Sequence, residues 1–371
     1  MAYYLRHFFN PDFNHKKLRP DTLQDGDVSQ HYLGYVQNVV AGQVLAEVIN
    51  LDEQPDYANY DPRFIFSNKI YPVGPNCAPH PRNPARIIAT TNGYVFYHEG
   101  LITVKRLLNV RQDVNFHTGN IMFTGDVVAH GSVRTGFTVM GNKVLVKGTV
   151  EGATVVAEND IVCESGLKGA SMGILKCGGN IKIPFCENIR IHAMGNVEIE
   201  GSCLHSEIYV NGSLMIKGRL QGGAVYANNI VYVEDQIGGG QNTTTKVMMG
   251  YNPAEFYILQ AVESDIAEMH QRLEQFERMV QKKPILLESY DIRIRLLKQK
   301  LDLLHEERNE LWKNFRANEQ HAEKCRLICP GKIRPGLEIS IARAYESIND
   351  FYDGLEFRLE DYDIVQKPIV K

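Results

Sequence analysis

Four histidines, His117, His130, His192 and His205, lie in a stretch whose apolar residues recur about every six positions. A histidine held between the coils of such a stretch can act as general base for acyl transfer. The spacing argues against that chemistry here. The main repeat is 16–17 residues, and no long loop enters to hold a substrate. Each histidine is therefore expected as a solvated residue at a corner. Glu158, Asp160 and Glu164 are close enough in sequence to suggest a Ca²⁺ cluster. Alternate strand residues face opposite ways, however, so these acids do not converge. Cys325 and Cys329 are four apart with no second half of Cys or His, a spacing that does not make a metal site. Gly238-Gly239-Gly240 lacks the Lys-Ser/Thr of a phosphate loop and is expected to mark the exit from the repeats. No catalytic, cofactor or metal set follows, and the chain is expected not to be an enzyme.

The elements that carry these residues announce themselves by period. Asp126-Val127, Lys143-Val144, Asp160-Ile161, Asn180-Ile181, Asn196-Val197, Ser213-Leu214 and Asn229-Ile230 form seven polar/apolar steps. Successive apolar members are separated by 17, 17, 20, 16, 17 and 16 residues, and Gly or Asn precedes each step. A fixed period means one small unit stacked repeatedly, because a single unit cannot bury its own apolar face. Three apolar positions per period imply a coil of three short strands, with inward side chains stacked in files. Gly, Asn and Asp at the steps suit corners that need positive φ or side-chain-to-backbone bonds. The 20-residue interval, containing 166–173, is expected to bulge at one corner. Seven or eight coils at about 4.8 Å each would make a rod roughly 35–40 Å long.

A second period follows. Leu259, Val262, Ile266, Met269, Leu273, Phe276 and Val280 are spaced alternately three and four apart. After Lys282-Lys283-Pro284, Leu287, Tyr290, Ile294, Leu297, Leu301, Leu304, Arg308, Leu311 and Phe315 resume it, with one basic defect. Two such seams joined by a short break predict an antiparallel coiled-coil hairpin, with two separate helices that dimerise with another molecule as the competing reading. Its tip, Gln281, Lys282, Lys283, Pro284 and Ile285, is the candidate partner-binding site. Basic residues on the helices are interspersed with acids, so this is a solvated face and not an anion-binding one. Strand-like segments return at 326–329, 337–341 and 355–359, which makes the hairpin an insertion into the β region.

The N-terminal 85 residues are less regular. Seven of the fifteen prolines lie between Pro55 and Pro84, which implies extended, irregular chain there. Strand alternation starts at Arg86–Ala89 and continues through 94–97 and 101–104, with Asn92-Gly93 as a turn signal. A net charge of −4 gives no basic face for nucleic acid. No signal peptide and no apolar stretch long enough to span a membrane is found, and the seven cysteines are scattered, so the expected address is cytoplasmic with reduced thiols.

Residues 113–127, Asp-Val-Asn-Phe-His-Thr-Gly-Asn-Ile-Met-Phe-Thr-Gly-Asp-Val, resemble the opening of the flagellar assembly protein A family. So do Gly148–Val155, Gln221–Ala227, Thr245–Gly250 and the Arg334-Pro335-Gly336 motif, in that order, with Gly42–Ala46 further upstream. The resemblance covers about residues 86–360. It implies a bacterial protein, mainly β with an α insertion: a single-stranded, parallel, right-handed β-helix with a projecting coiled coil. It also implies a role in flagellar assembly or its regulation, with no catalytic residues and no cofactor. The expected organisation is 1–85 N-terminal region, 86–252 solenoid, 253–320 coiled-coil hairpin and 321–371 returning strands. The expected function is a scaffold binding protein partners of the flagellar or cell-pole machinery. A self-assembling β-helix polymer, hence a homo-oligomer, is the alternative, with an acyltransferase the last.

Overall fold

The apolar positions of the repeat stack directly on one another in three files. A computed structural model describes residues 2–15, 17–18, 21–22, 28–29, 31–53, 60–240, 243–282, 287–317 and 322–369. It is a parallel β-solenoid of about eight turns with two helices, and it divides into two compact units, Met1–Ile189 and Arg190–Lys371.

In the first unit the files run Leu108–Val127–Val144–Ile161–Ile181, Ile121–Val139–Val155–Leu175 and Val114–Val133–Val150–Leu167, each step a parallel register pair. In the second they run Val197–Leu214–Val231–Leu327, Ile208–Val225–Val247–Ile339 and Cys203–Leu220–Ile237–Ile333. All of these side chains are buried. At about 1.5–3 kcal/mol for each large aliphatic, the files dominate the stability of the coils.

The corners divide the work differently from the expectation. The Gly and Asn residues before the steps do not have positive φ; the left-handed residues sit at the edge between the third and second files. Among them are Gly136, Gly152, Ala170, Ser171 and Asn188 in the first unit, and His205 and Gly222 in the second; the last turns depart from this, with Gly250 and Ala342 left-handed at the step edge. The three extra residues of the 20-residue interval are absorbed at this edge, inside the continuous strand Leu167–Cys177. At the steps, polar side chains bond from coil to coil. Asn142 Nδ2 donates to Asp126 Oδ1 (2.7 Å), Asn159 Nδ2 to Asn142 Oδ1 (2.6 Å), and the Ser213 amide to Asn196 Oδ1 (2.8 Å). Glycine is needed there for proximity: a Cβ on Gly212 would collide with Asn196 Oδ1. The glycine run 238–240 is not an exit either. All three have positive φ, and the coil continues through Thr245–Met249, paired with Gly223–Ala227 on one side and Leu337–Ile341 on the other.

Upstream of the coils, the first unit holds an antiparallel sheet in the order Ile65–Phe66, Tyr3–His7, Val44–Asn50, Asn83–Ala89, Cys77–His80. The Pro-rich stretch is thus not wholly irregular as expected: Ile65–Phe66 and Cys77–His80 form the two edges of this sheet, and Pro79 sits in one of them, where a missing donor costs least. The Asn92-Gly93 turn separates two sheets and closes no hairpin. The hairpin comes one step later, where Gly93–His98 pairs with Leu101–Lys105. Its loop is Glu99-Gly100, at φ 50° and 79°, two left-handed residues matching the twist of the strands.

The helices leave the ladder within one turn. Helix α1 (Pro253–Lys282) starts at Pro253 with Asn252 as its cap: Asn252 Oδ1 accepts from the Ala254 amide at 3.1 Å, and Asn252 Nδ2 donates to Glu255 (3.0 Å). Helix α2 spans Leu287–Ala317. The two pack through Val262, Ile266 and Leu301, with Met269, Leu273, Leu304 and Leu311 around them. Phe276 meets Tyr290, Glu277 meets Lys298 and His270 meets His305. Arg326–Ile333 then rejoins the ladder, parallel to Ile230–Val233 and Gln236–Ile237. It and Leu337–Ile341 each carry an antiparallel partner, Tyr352–Glu360 and Ala344–Ile348.

Candidate interaction surface

No group of three or more His, Cys, Asp or Glu side chains that could hold a metal occurs among the described residues. The histidines weighed as bases serve unrelated roles. Nε2 of His130 is 3.0 Å from Asn109 Oδ1, and His117 lines a cavity of about 1340 Å³ with Tyr35, Tyr94, Lys105 and Arg111. His205 is an exposed corner residue, and His192 packs in an aromatic file. Of the acids, Asp160 accepts from the Asn180 amide at 3.0 Å and pairs with Lys143 at 3.1 Å; these bonds, the Asn180 amide first, hold its carboxyl below the usual range. All seven cysteines are free. Burial pushes Cys325 and Cys329 each up to about 11, so both side chains are thiols at neutral pH.

The residues that hold the helical insertion to the coils are aromatic. His192, Tyr209 and Tyr226 occupy equivalent outward positions of consecutive turns. Their rings stack at 4.7 Å and 4.6 Å with interplanar angles of 7° and 13°. The first turns of α1 lie across this file. Tyr257 sets its edge against His192 (4.1 Å, 67°) and Tyr209 (5.4 Å, 70°), while Phe256 covers Tyr226 at 4.6 Å. Gln260 accepts from the Tyr209 hydroxyl at 2.6 Å and donates to that of Tyr226 at 3.4 Å. Burial raises the pKa of both tyrosines, so the hydroxyls stay protonated and available as donors. Coil-to-coil spacing near 4.8 Å suits ring stacking, which makes the file a flat apolar platform with a polar edge. The 17-residue interval between His192, Tyr209 and Tyr226 is the sequence signal for this file, masked because these rings point outward and the inward apolar residues carry the more obvious period.

At the other end of α1, Gln281 and Lys282 are exposed. Lys283, Pro284 and Ile285 lie outside the described residues. Next to Gln281, a groove of about 580 Å³ opens between the helices, lined by Glu277, Asp291, Ile294 and Lys298 among others. No helix among the described residues is long and apolar enough to cross a membrane.

No curated protein and no solved structure matches the chain. The family model of the Flagellar Assembly Protein A beta solenoid domain matches residues 106–364, from the first parallel strand to the last hairpin. That span contains the stacked files, the aromatic platform and both helices, so the chain belongs to the flagellar assembly protein A family.

Proposed function

We propose that the chain is a non-enzymatic scaffold in bacterial flagellar assembly or its regulation. On this reading the solenoid is a right-handed rigid rod, and α1 and α2 form an antiparallel coiled-coil arm. The arm presents a protein partner of the flagellar or cell-pole machinery with the tip 281–285 in the cytoplasm. One observation carries the proposal: an insertion of two long helices is anchored at its foot by Tyr257, Phe256 and Gln260 on a stacked aromatic platform. Such a root fixes the direction of a lever while leaving its far end to solvent. Repeat architectures of this kind supply surfaces more often than reaction centres.

The proposal is tested by replacing 281–285 with a neutral turn and reading both flagellation and crosslinked partners by mass spectrometry. Loss of specific partners with the fold retained is expected; unchanged partners and flagellation would remove the tip from the function. End-to-end polymerisation is the weaker reading, since the strands Arg326–Ile333 and Leu337–Ile341 already carry antiparallel hairpins.

A further inference from the structure

Helix α2 carries a second apolar row, away from its contact with α1. Ile292, Leu296 and Leu303 are 67%, 60% and 66% exposed. At 3.6 residues per turn these three fall within about 40° of one another, and about 140° round the helix from the row of Ile294, Leu297, Leu301 and Leu304. One exposed leucine means little, but three in a row along a helix make a surface fit for another helix.

The charges beside this row change sign along it. Residues 291–300 hold Arg293, Arg295, Lys298 and Lys300 against Asp291, four minus one, or +3. Residues 301–310 hold Asp302, Glu306, Glu307 and Glu310 against Arg308, minus four plus one, or −3. Lys298 turns back to Glu277 of α1 at 3.0 Å, and Arg295 pairs with Asp291 along the helix at 2.6 Å. Arg293, Arg295 and Lys300 flank the row at Ile292 and Leu296, while Glu306 and Glu307 lie one turn beyond its last member, Leu303.

We propose that this face of α2 is a self-association surface, on which a second copy of the chain lays its own α2 antiparallel across a two-fold axis. Two-fold contact requires a self-complementary patch. A helix face that is basic over 293–300 and acidic over 302–310 meets that requirement only when inverted against itself. Parallel pairing would place like charges together, and a helix of another protein would call for no such antisymmetry. This inference does not depend on the tip binding a partner.

The test is sedimentation equilibrium of the full chain up to about 100 µM. Reversible dimerisation is expected, weakening as salt is raised. Leu296→Asp with Leu303→Asp should raise the dimer dissociation constant at least about tenfold. Arg293→Glu with Arg295→Glu, and separately Glu306→Arg with Glu307→Arg, should each weaken self-association, while their mixture forms a one-to-one dimer. The charge variants leave the apolar row intact, so they decide the matter even if the leucine variant unfolds. A wild-type chain that stays monomeric overturns the proposal and assigns the row to a different protein. Dimerisation unaffected by these variants also overturns it, as does a mixture that fails to recover.

Discussion

His7 shows what burial does to a single ionisable ring. It is packed edge-on by Phe64 at 4.5 Å and Tyr97 at 5.1 Å, and burial depresses its pKa to about 4, partly opposed by the carboxylates of Asp12 and Asp61. The unfolded chain titrates near the ordinary value of 6.5. Between those two values the unfolded state binds more protons, so stability is complete above pH 6.5 and declines as pH falls toward 4. Because the ring is only partly enclosed, the loss is expected to be about 1–2 kcal/mol, below the full linkage value. Thermal unfolding from pH 7 to 4 should show a falling midpoint, and His7→Leu should flatten that dependence. At the same scale, the carboxylates and amides of the steps were visible in the sequence as small polar residues. That they bond from coil to coil, and do not bend the chain, depends on which residue of the next turn lies beside them. The spacing of 16–17 places them side by side; the φ angles are left to the other edge.

For the helices, local pattern went far. The alternation of three and four assigns both helices, and the buried positions Val262, Ile266 and Leu301 are among those it picks out. Leu301 is 4% exposed, so Leu301→Ala should cost about 2–3 kcal/mol, lowering the helical signal at temperatures where the β signal persists. The foot of α1 is a separate matter. Tyr257→Ala removes ring contacts with His192 and Tyr209, and should speed amide exchange in the first two turns of α1 well beyond any change in the coils. Equal exchange in variant and wild type would show that the platform does not anchor the helix. An aromatic file of this kind is hard to see in advance, since outward positions of a coil tolerate any residue type and only the arrival of α1 gives these three a function.

Across the whole molecule, the ladder treats the helices as a detour. Met249 lies in register with Ala227, and Arg326 with Ile230. In the preceding turn those two positions are joined by Asn228-Asn229 alone. Between Met249 and Arg326 the chain spends residues 250–325, that is 325 − 250 + 1 = 76. Replacing them with Asn-Asn should therefore regenerate an ordinary corner and leave a folded solenoid, read as retained β circular dichroism and a cooperative transition. A molten or aggregated product would mean that the helices are needed to close that turn. Some loss is expected from Cys325, whose Sγ donates to the Asn228 carbonyl at 3.3 Å.

What the sequence determined by itself were the features written into short-range periodicity: stacked coils with inward apolar files, two helices spliced into them, and the strands that return at 326. Periodicity is local, since an inward or outward choice repeats every two residues in a strand and every three to four in a helix. Only the tertiary structure decided which coil edge takes the left-handed residues and that the glycine run 238–240 turns a corner. It alone also closed the last turns with antiparallel hairpins and set the order of the N-terminal sheet. Those outcomes turn on which segments lie side by side after folding, such as Val231 against Leu327, and no window of neighbouring residues contains that information.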